Sequence, residues 1–364
     1  MLAVAALSAS AFAPAVRPAL VQRSSAAVRV AQLPPVAQLP RVAPAPVMMA
    51  DAAEAESDGI METLKTASFF ALWYLFNIGY NIYNKKALNA LPIPYTQAFL
   101  QLAVGIPYAF FLWMTGLRKA PKLSADNVKT LIPVSLGHLG THIGAVVSLG
   151  AGAVSFTHIV KASEPVVSAG LSAVLLGAIY HPITYLTLLP IVGGVALASL
   201  KELSFTWVGF IAAMVSNLSS AIRGILAKKT MGGGVGENMT EANIYAVLTI
   251  LATIFILPIA LVLEPPATVK ACISSALATS TAKTLWAHSL LAGAFYYLYN
   301  EVAFLALGRV NPVTHAIGNT VKRVVIIIAS VIAFKTPIST LGVIGSSIAI
   351  AGTLLYSLAK SKFG

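Results

Sequence analysis

The chain has one cysteine, Cys272, in 364 residues. That excludes an internal disulfide and a zinc site built from several thiolates. Charge is also scarce: 10% of residues are charged, against about 25% in soluble domains. Carboxylates are the rarer sign, 12 against 24 Lys plus Arg, and the first of them is Asp51. Such a chain cannot dress a water-facing surface of ordinary polarity. What it has instead is hydrophobic residues, 57% of the total, with mean hydropathy +0.82. Apolar windows of roughly 17–25 residues match a hydrocarbon core about 30 Å thick, so the composition is that of a polytopic membrane protein. The net charge of +12 comes with no basic stripe interleaved with aromatics, which argues against a nucleic-acid partner. It fits positive loops beside a bilayer, or an anionic ligand.

The first fifty residues differ from the rest. A short apolar run, Leu2 to Ala6, leads into small residues up to Ala11. From Phe12 to Ala50 the chain carries Arg17, Arg23, Arg29 and Arg41 and no acid. An arginine-bearing, acid-free leader reads as an organelle targeting segment; the plainer alternative is an Ala/Pro-rich tail. The stretch ASAFAP (9–14) resembles the signal/transit junction of proteins entering plastids bounded by extra membranes. That resemblance implies cleavage before Phe12. The acidic stretch 51–64 is expected to form an exposed mature N-terminus.

Ten apolar windows read as spanning helices, near 65–84, 94–116, 131–153, 155–179, 182–200, 204–227, 242–263, 284–308, 311–334 and 338–359. Five spans fall in a first half, 65–200, and five in a second, 201–364. An odd number per half inverts the second half relative to the first, as in many carriers. The expected fold is an all-α membrane protein of ten transmembrane helices in two inverted five-helix halves. Span four contains VSFTHIVK and span nine NPVTHAIGNTVKR, so Thr157-His158 and Thr314-His315 occupy corresponding spans. Loop cations divide nine, Arg118 among them, against six, Lys85 among them. That bias favours both termini on the stroma-like side.

An ionisable residue at mid-depth costs ~2.5–3.5 kcal/mol on insertion scales, so each marks a functional candidate. His315, Asn319, Lys322 and Arg323 stand at i, i+4, i+7 and i+8 and share one helical face. Thr157, His158 and Lys161 share another, with Glu164 one turn beyond. Lys161 and Glu164 have the spacing of a structural ion pair, and Glu301 of span eight is a partner in reach of Lys322 or Arg323. Even so, three cations face two carboxylates, and the interior stays positive. A buried positive excess calls for a mobile anion. A phosphate monoester, with close to two charges and three strong acceptor oxygens, suits two lysines and an arginine fork. His138 and His142 stand at i, i+4, but no Glu lies between them as a metalloprotease helix requires. No metal and no cofactor is expected.

These stretches resemble the plastid phosphate translocators of the drug/metabolite transporter superfamily. The resemblance rests on AVSFTHIVKASEP (153–165), NPVTHAIGNTVKRVVIIIASVIAFKTP (311–337), NIGYNIYNKKAL (77–88) and RGILAKKTM (223–231), and covers roughly 65–360. It implies antiport of inorganic phosphate for phosphorylated C3, C5 or C6 compounds across a plastid envelope, with a phosphate grip on Lys161, Lys322 and Arg323. It also implies substrate contacts from His142 and Tyr299. His158, His315 and Asn319 are further candidates from the shared helical faces, and Thr141 from its place near Ala145. Family members often carry Thr where this chain has Ala145; Thr141 or Ser148 is the expected substitute. His142 stands where phosphoenolpyruvate carriers tend to have Asn, which favours a triose-phosphate carrier. Expected partners are phosphate, phosphorylated C3 metabolites and the lipid bilayer; a homodimer stays open. A nucleotide-sugar carrier shares the fold. A proton-coupled drug exporter has the wrong sign of excess charge, and no convincing nucleophile–base set or metal motif supports an intramembrane enzyme.

Overall fold

The computed structural model describes residues 47–363 except 201, 232, 233, 308 and 311. The leader expected at 1–50 lies outside the described residues up to 46. The chain divides into Met1–Lys65 and Thr66–Gly364. The described part of the first unit is the start of helix α1, Val47–Ala90, so the acidic stretch 51–64 is helical. The second unit carries everything that follows.

After α1 come α2 (Pro94–Ala103), α3 (Gly105–Met114), α4 (Ala125–Ala151), α5 (Val154–Lys161), α6 (Glu164–Leu176), α7 (Pro182–Leu186) and α8 (Leu188–Leu200). Then follow α9 (Trp207–Met231), α10 (Glu241–Leu263), α11 (Pro266–Leu277), α12 (Ala282–Leu307), α13 (Pro312–Phe334) and α14 (Thr340–Phe363). Among the described residues, eight stretches of helix are long and apolar enough to cross a membrane. The window expected at 65–84 is helical too, inside α1, and that at 284–308 is helical over 284–307 in α12, but neither is among those eight. On α1 the inward-facing Asn77, Asn81 and Asn84 lower the hydropathy.

Three expected spans are broken, and each break has the same cause. Proline lacks an N–H and clashes with the carbonyl four residues back. α2 ends at Ala103, four before Pro107; α5 ends at Lys161, four before Pro165; α7 ends at Leu186, four before Pro190. Pro133 and Pro258 sit inside continuous α4 and α10, so proline permits a break without forcing one. At α4 the start is fixed by a capping box: Ser124 Oγ accepts from Asn127 N at 3.1 Å, and Asn127 Oδ1 accepts from Ser124 N at 3.0 Å.

Helix pairing is regular. α4 packs on α9, α2 on α10, α5 on α13 and α8 on α14. α1 meets α12 through rings: Phe76 on Phe295 at 6.1 Å, Tyr80 on Tyr296 at 5.3 Å. The α8–α14 seam is built on small residues. A Cβ on Gly194 would lie 2.6 Å from the Gly345 carbonyl oxygen, and one on Gly345 would lie 2.5 Å from that of Gly194. Ala198 and Ala349 flank the same contact on either side, in a GxxxA repeat on each helix.

One charge is not where the loop count put it. Arg118, expected as a loop cation, is buried and ion-paired through Nη2 with Oε1 of Glu301, itself fully buried on α12. The loop bias drops accordingly, and Glu301 is occupied by Arg118 rather than by Lys322 or Arg323.

Candidate functional site

Between α1, α4, α5, α9, α12 and α13 lies a central cavity of about 170 Å³. Lys161, Lys322, Arg323, His142, Tyr299, Thr141, His158 and Asn319 all line it. His315 does not; it stacks on Trp73 of α1, with ring centres 5.2 Å apart.

The charges pair across the break after Lys161. In a continuous helix Glu164 would lie near Lys161 on the same face. Pro165 ends α5 at Lys161, and Glu164 begins α6. Its Oε2 accepts from Arg323 Nη2 at 2.8 Å, and its Oε1 from Ser220 Oγ at 2.5 Å. Arg323, expected to await an incoming anion, therefore has a protein partner. Lys161 Nζ instead donates to Ser216 Oγ at 2.6 Å, and Ser216 donates on to the Thr141 carbonyl at 2.7 Å. Lys322 Nζ lies over the Trp73 ring, 4.7 Å from its centre.

Arg223, quoted above within RGILAKKTM but given no site role there, is a fourth cation in the cavity wall. Its Nη1 is 3.1 Å from His138 Nδ1. A guanidinium has only donors, so that nitrogen accepts, and His138 Nε2 carries the proton toward Tyr296 Oη at 3.4 Å. The signal for Arg223 was present in sequence. Ser216, Ser220 and Arg223 stand at i, i+4 and i+7 and form one polar stripe on α9.

The remaining lining groups form a neutral floor. His158 Nε2 and Asn81 Oδ1 are 2.8 Å apart, and Asn81 Nδ2 donates to Asn77 Oδ1 at 2.8 Å. His142 Nε2 donates to the Ala98 carbonyl at 3.2 Å, and its ring packs 4.1 Å from Tyr296. Tyr299 packs on Tyr80 at 5.3 Å. Ala145 faces the cavity, but neither proposed substitute supplies a free proton toward it. Thr141 Oγ1 donates to the Gly137 carbonyl at 2.8 Å, and Ser148 is buried against Thr157 Oγ1, also at 2.8 Å.

Four cations thus share the wall with one carboxylate, Glu164. The α5 and α13 cations approach from different helices. Such an arrangement holds a multivalent anion through charge-assisted hydrogen bonds.

A multi-helix membrane protein with a cationic central cavity is the class these features define. The sequence matches the Triose-phosphate Transporter family over residues 64–357, and the chain belongs to that family. Among similar proteins is the chloroplastic triose phosphate/phosphate translocator of Spinacia oleracea, 44% identical over 82% of this chain and 73% of that protein. The chloroplastic phosphoenolpyruvate/phosphate translocator 1 of Oryza sativa subsp. japonica is 41% identical, over 85% and 75%. The chloroplastic glucose-6-phosphate/phosphate translocator 1 of Arabidopsis thaliana is 40% identical, over 85% and 79%.

Proposed function

We propose that this protein exchanges inorganic phosphate for triose phosphate or 3-phosphoglycerate across a plastid envelope membrane, by alternating access. The observation that carries the reading is the charge imbalance of the central cavity, four cations to one carboxylate in a membrane interior. The names of its relatives, all phosphate translocators, support the same substrate class. Localisation in a plastid with extra bounding membranes rests on the ASAFAP stretch alone.

The transporting unit is ten spans in two inverted halves. The helix pairings support this. A two-fold exchange of halves maps the α2–α10, α5–α13 and α8–α14 pairs onto themselves and turns the α4–α9 pair into α12–α1. Lys161 belongs to the first half, Lys322 and Arg323 to the second. An anion bound among them bridges the halves and lets the cleft close; without it the like charges oppose closure. Arg323 changes hands in this cycle: Glu164 holds it in the empty site, and phosphate competes for it. A second cavity, about 600 Å³, also touches Glu164, Asn319 and Arg323, and gives the anion a route past that ion pair.

A second reading stays within the family. Ala145 removes a hydroxyl from the wall and leaves room near His142, which suits phosphoenolpyruvate or a sugar phosphate as counter-substrate. A nucleotide-sugar carrier is the more distant alternative. A counter-exchange panel in proteoliposomes separates them. Internal triose phosphate or 3-phosphoglycerate should drive the fastest phosphate uptake. Faster exchange with phosphoenolpyruvate or glucose 6-phosphate moves the assignment to the second reading, and exchange with nucleotide sugars only would overturn both.

A further inference from the structure

Trp73 lies outside the cavity wall, yet it touches the wall's most important cation. Asn77, one turn further along α1, lines the cavity; Trp73 does not. Its ring sits behind Lys322, whose ammonium is 4.7 Å from the ring centre. Several contacts fix the indole there. His315 stacks on it at 5.2 Å with the rings 16° apart, and Phe70 packs at 5.8 Å. Tyr74 Oη donates to the Gly318 carbonyl at 2.8 Å and ties α1 to α13. Gly318 is required for that approach: a Cβ there would lie 2.3 Å from Phe70 Cε1. The FFALWY stretch of α1 and the GNTVKR stretch of α13 are thus one joint.

The indole N–H is the telling detail. Trp73 is 2% exposed, and its Nε1 is buried without a hydrogen-bond partner among the described residues. Buried donors are normally satisfied. Here the ring is held by its faces at the expense of its donor, so the face is what the position supplies.

We propose that Trp73 is a positioning residue for anion binding: its π face holds the Lys322 ammonium at the cavity without neutralising it. The proposal rests on the reading of the cavity as a phosphate site. A carboxylate in this place would cancel the charge and compete with the incoming anion, as Glu164 does at Arg323. A ring face attracts a cation through its quadrupole and leaves the full charge available. An aliphatic side chain would give it nothing. His315 enters the same device as the brace on the indole rather than as a substrate ligand.

Because the cation sits on the indole, phosphate binding should alter tryptophan emission. The experiment titrates the purified full chain with inorganic phosphate, following emission and binding heat in parallel. An emission change is expected in the wild type and in Trp113→Phe, Trp207→Phe and Trp286→Phe, the other tryptophans of the chain. It is lost in Trp73→Phe, which keeps a ring and binds within about threefold of wild type. Trp73→Leu weakens binding by about three- to thirtyfold and raises KM for phosphate while kcat stays near wild type. An emission change that survives in Trp73→Phe overturns the proposal, as does a folded Trp73→Leu with unchanged affinity. Should Trp73→Leu not fold, the emission of Trp73→Phe decides. Binding heat with constant wild-type emission overturns this proposal and leaves the phosphate site standing. No binding heat in the wild type overturns the site and the proposal together.

Discussion

Among the described residues two arginine–glutamate pairs, one buried and one partly buried, do different things. Arg118–Glu301 joins the segment after α3 to α12, with side chains 4% and 0% exposed. Arg323–Glu164 joins α13 to α6, with side chains 10% and 28% exposed. The first is sealed, one charge to one charge. The second stands in the cavity wall beside three more cations. Pairing alone does not separate structure from function; the local charge balance does. A matched buried pair holds helices, and an unmatched cluster holds something that arrives from solution.

Breaking the cationic side should have the largest effect. Lys322→Ala is expected to lower phosphate exchange by about two orders of magnitude, the range for truncating a desolvated charge contact, while thermal stability stays within about 1 kcal/mol of wild type. Exchange assays and a detergent melting curve check both halves of that statement. Arg118→Met should do the reverse. It leaves Glu301 charged and alone, at a cost of about 3–5 kcal/mol in stability. The double variant Arg118→Met/Glu301→Leu should recover most of that loss, which melting curves of the three variants will report.

Smaller effects sharpen the contrast. Glu164→Gln removes the one carboxylate that competes with phosphate for Arg323. Phosphate should bind more tightly, by about three- to tenfold, at roughly 1.4 kcal/mol per decade. Exchange should slow because release slows. Calorimetry and turnover at saturating substrate measure the two separately. Ala145→Thr, which restores a hydroxyl facing the cavity, should change relative affinity among phosphorylated substrates by at most about tenfold, the worth of one hydrogen bond. Competition against labelled phosphate reads it.

How much of this was legible in the sequence depends on the range of the interaction. Spans follow from local hydropathy, and the helix assignments agree with the apolar windows nearly throughout. Lys161, Lys322 and Arg323 were legible because charge in apolar sequence is conspicuous, and all three meet in one cavity. Partnership was not legible. Glu164 looked like the mate of Lys161, but its ion pair is with Arg323. Pro165 was in the sequence, but Pro133 and Pro258 sit inside continuous helices, so its effect on pairing was not legible. Arg118 looked like a loop charge because its partner, Glu301, lies 183 residues away. Trp73 was silent for the same reason: an aromatic residue in an apolar helix announces nothing until α13 is laid against it. His315 shared a face with Lys322 as expected and both meet Trp73, but only Lys322 also lines the cavity.

The central claim is that the unmatched cations need an anion before the protein can change sides. The most direct test is uptake of labelled phosphate into proteoliposomes, loaded or empty. Vesicles loaded with triose phosphate should take up phosphate rapidly, and empty vesicles should take up almost none. Equal initial rates in the two would contradict the account, because the empty site would then be crossing the membrane freely with its positive charge uncompensated.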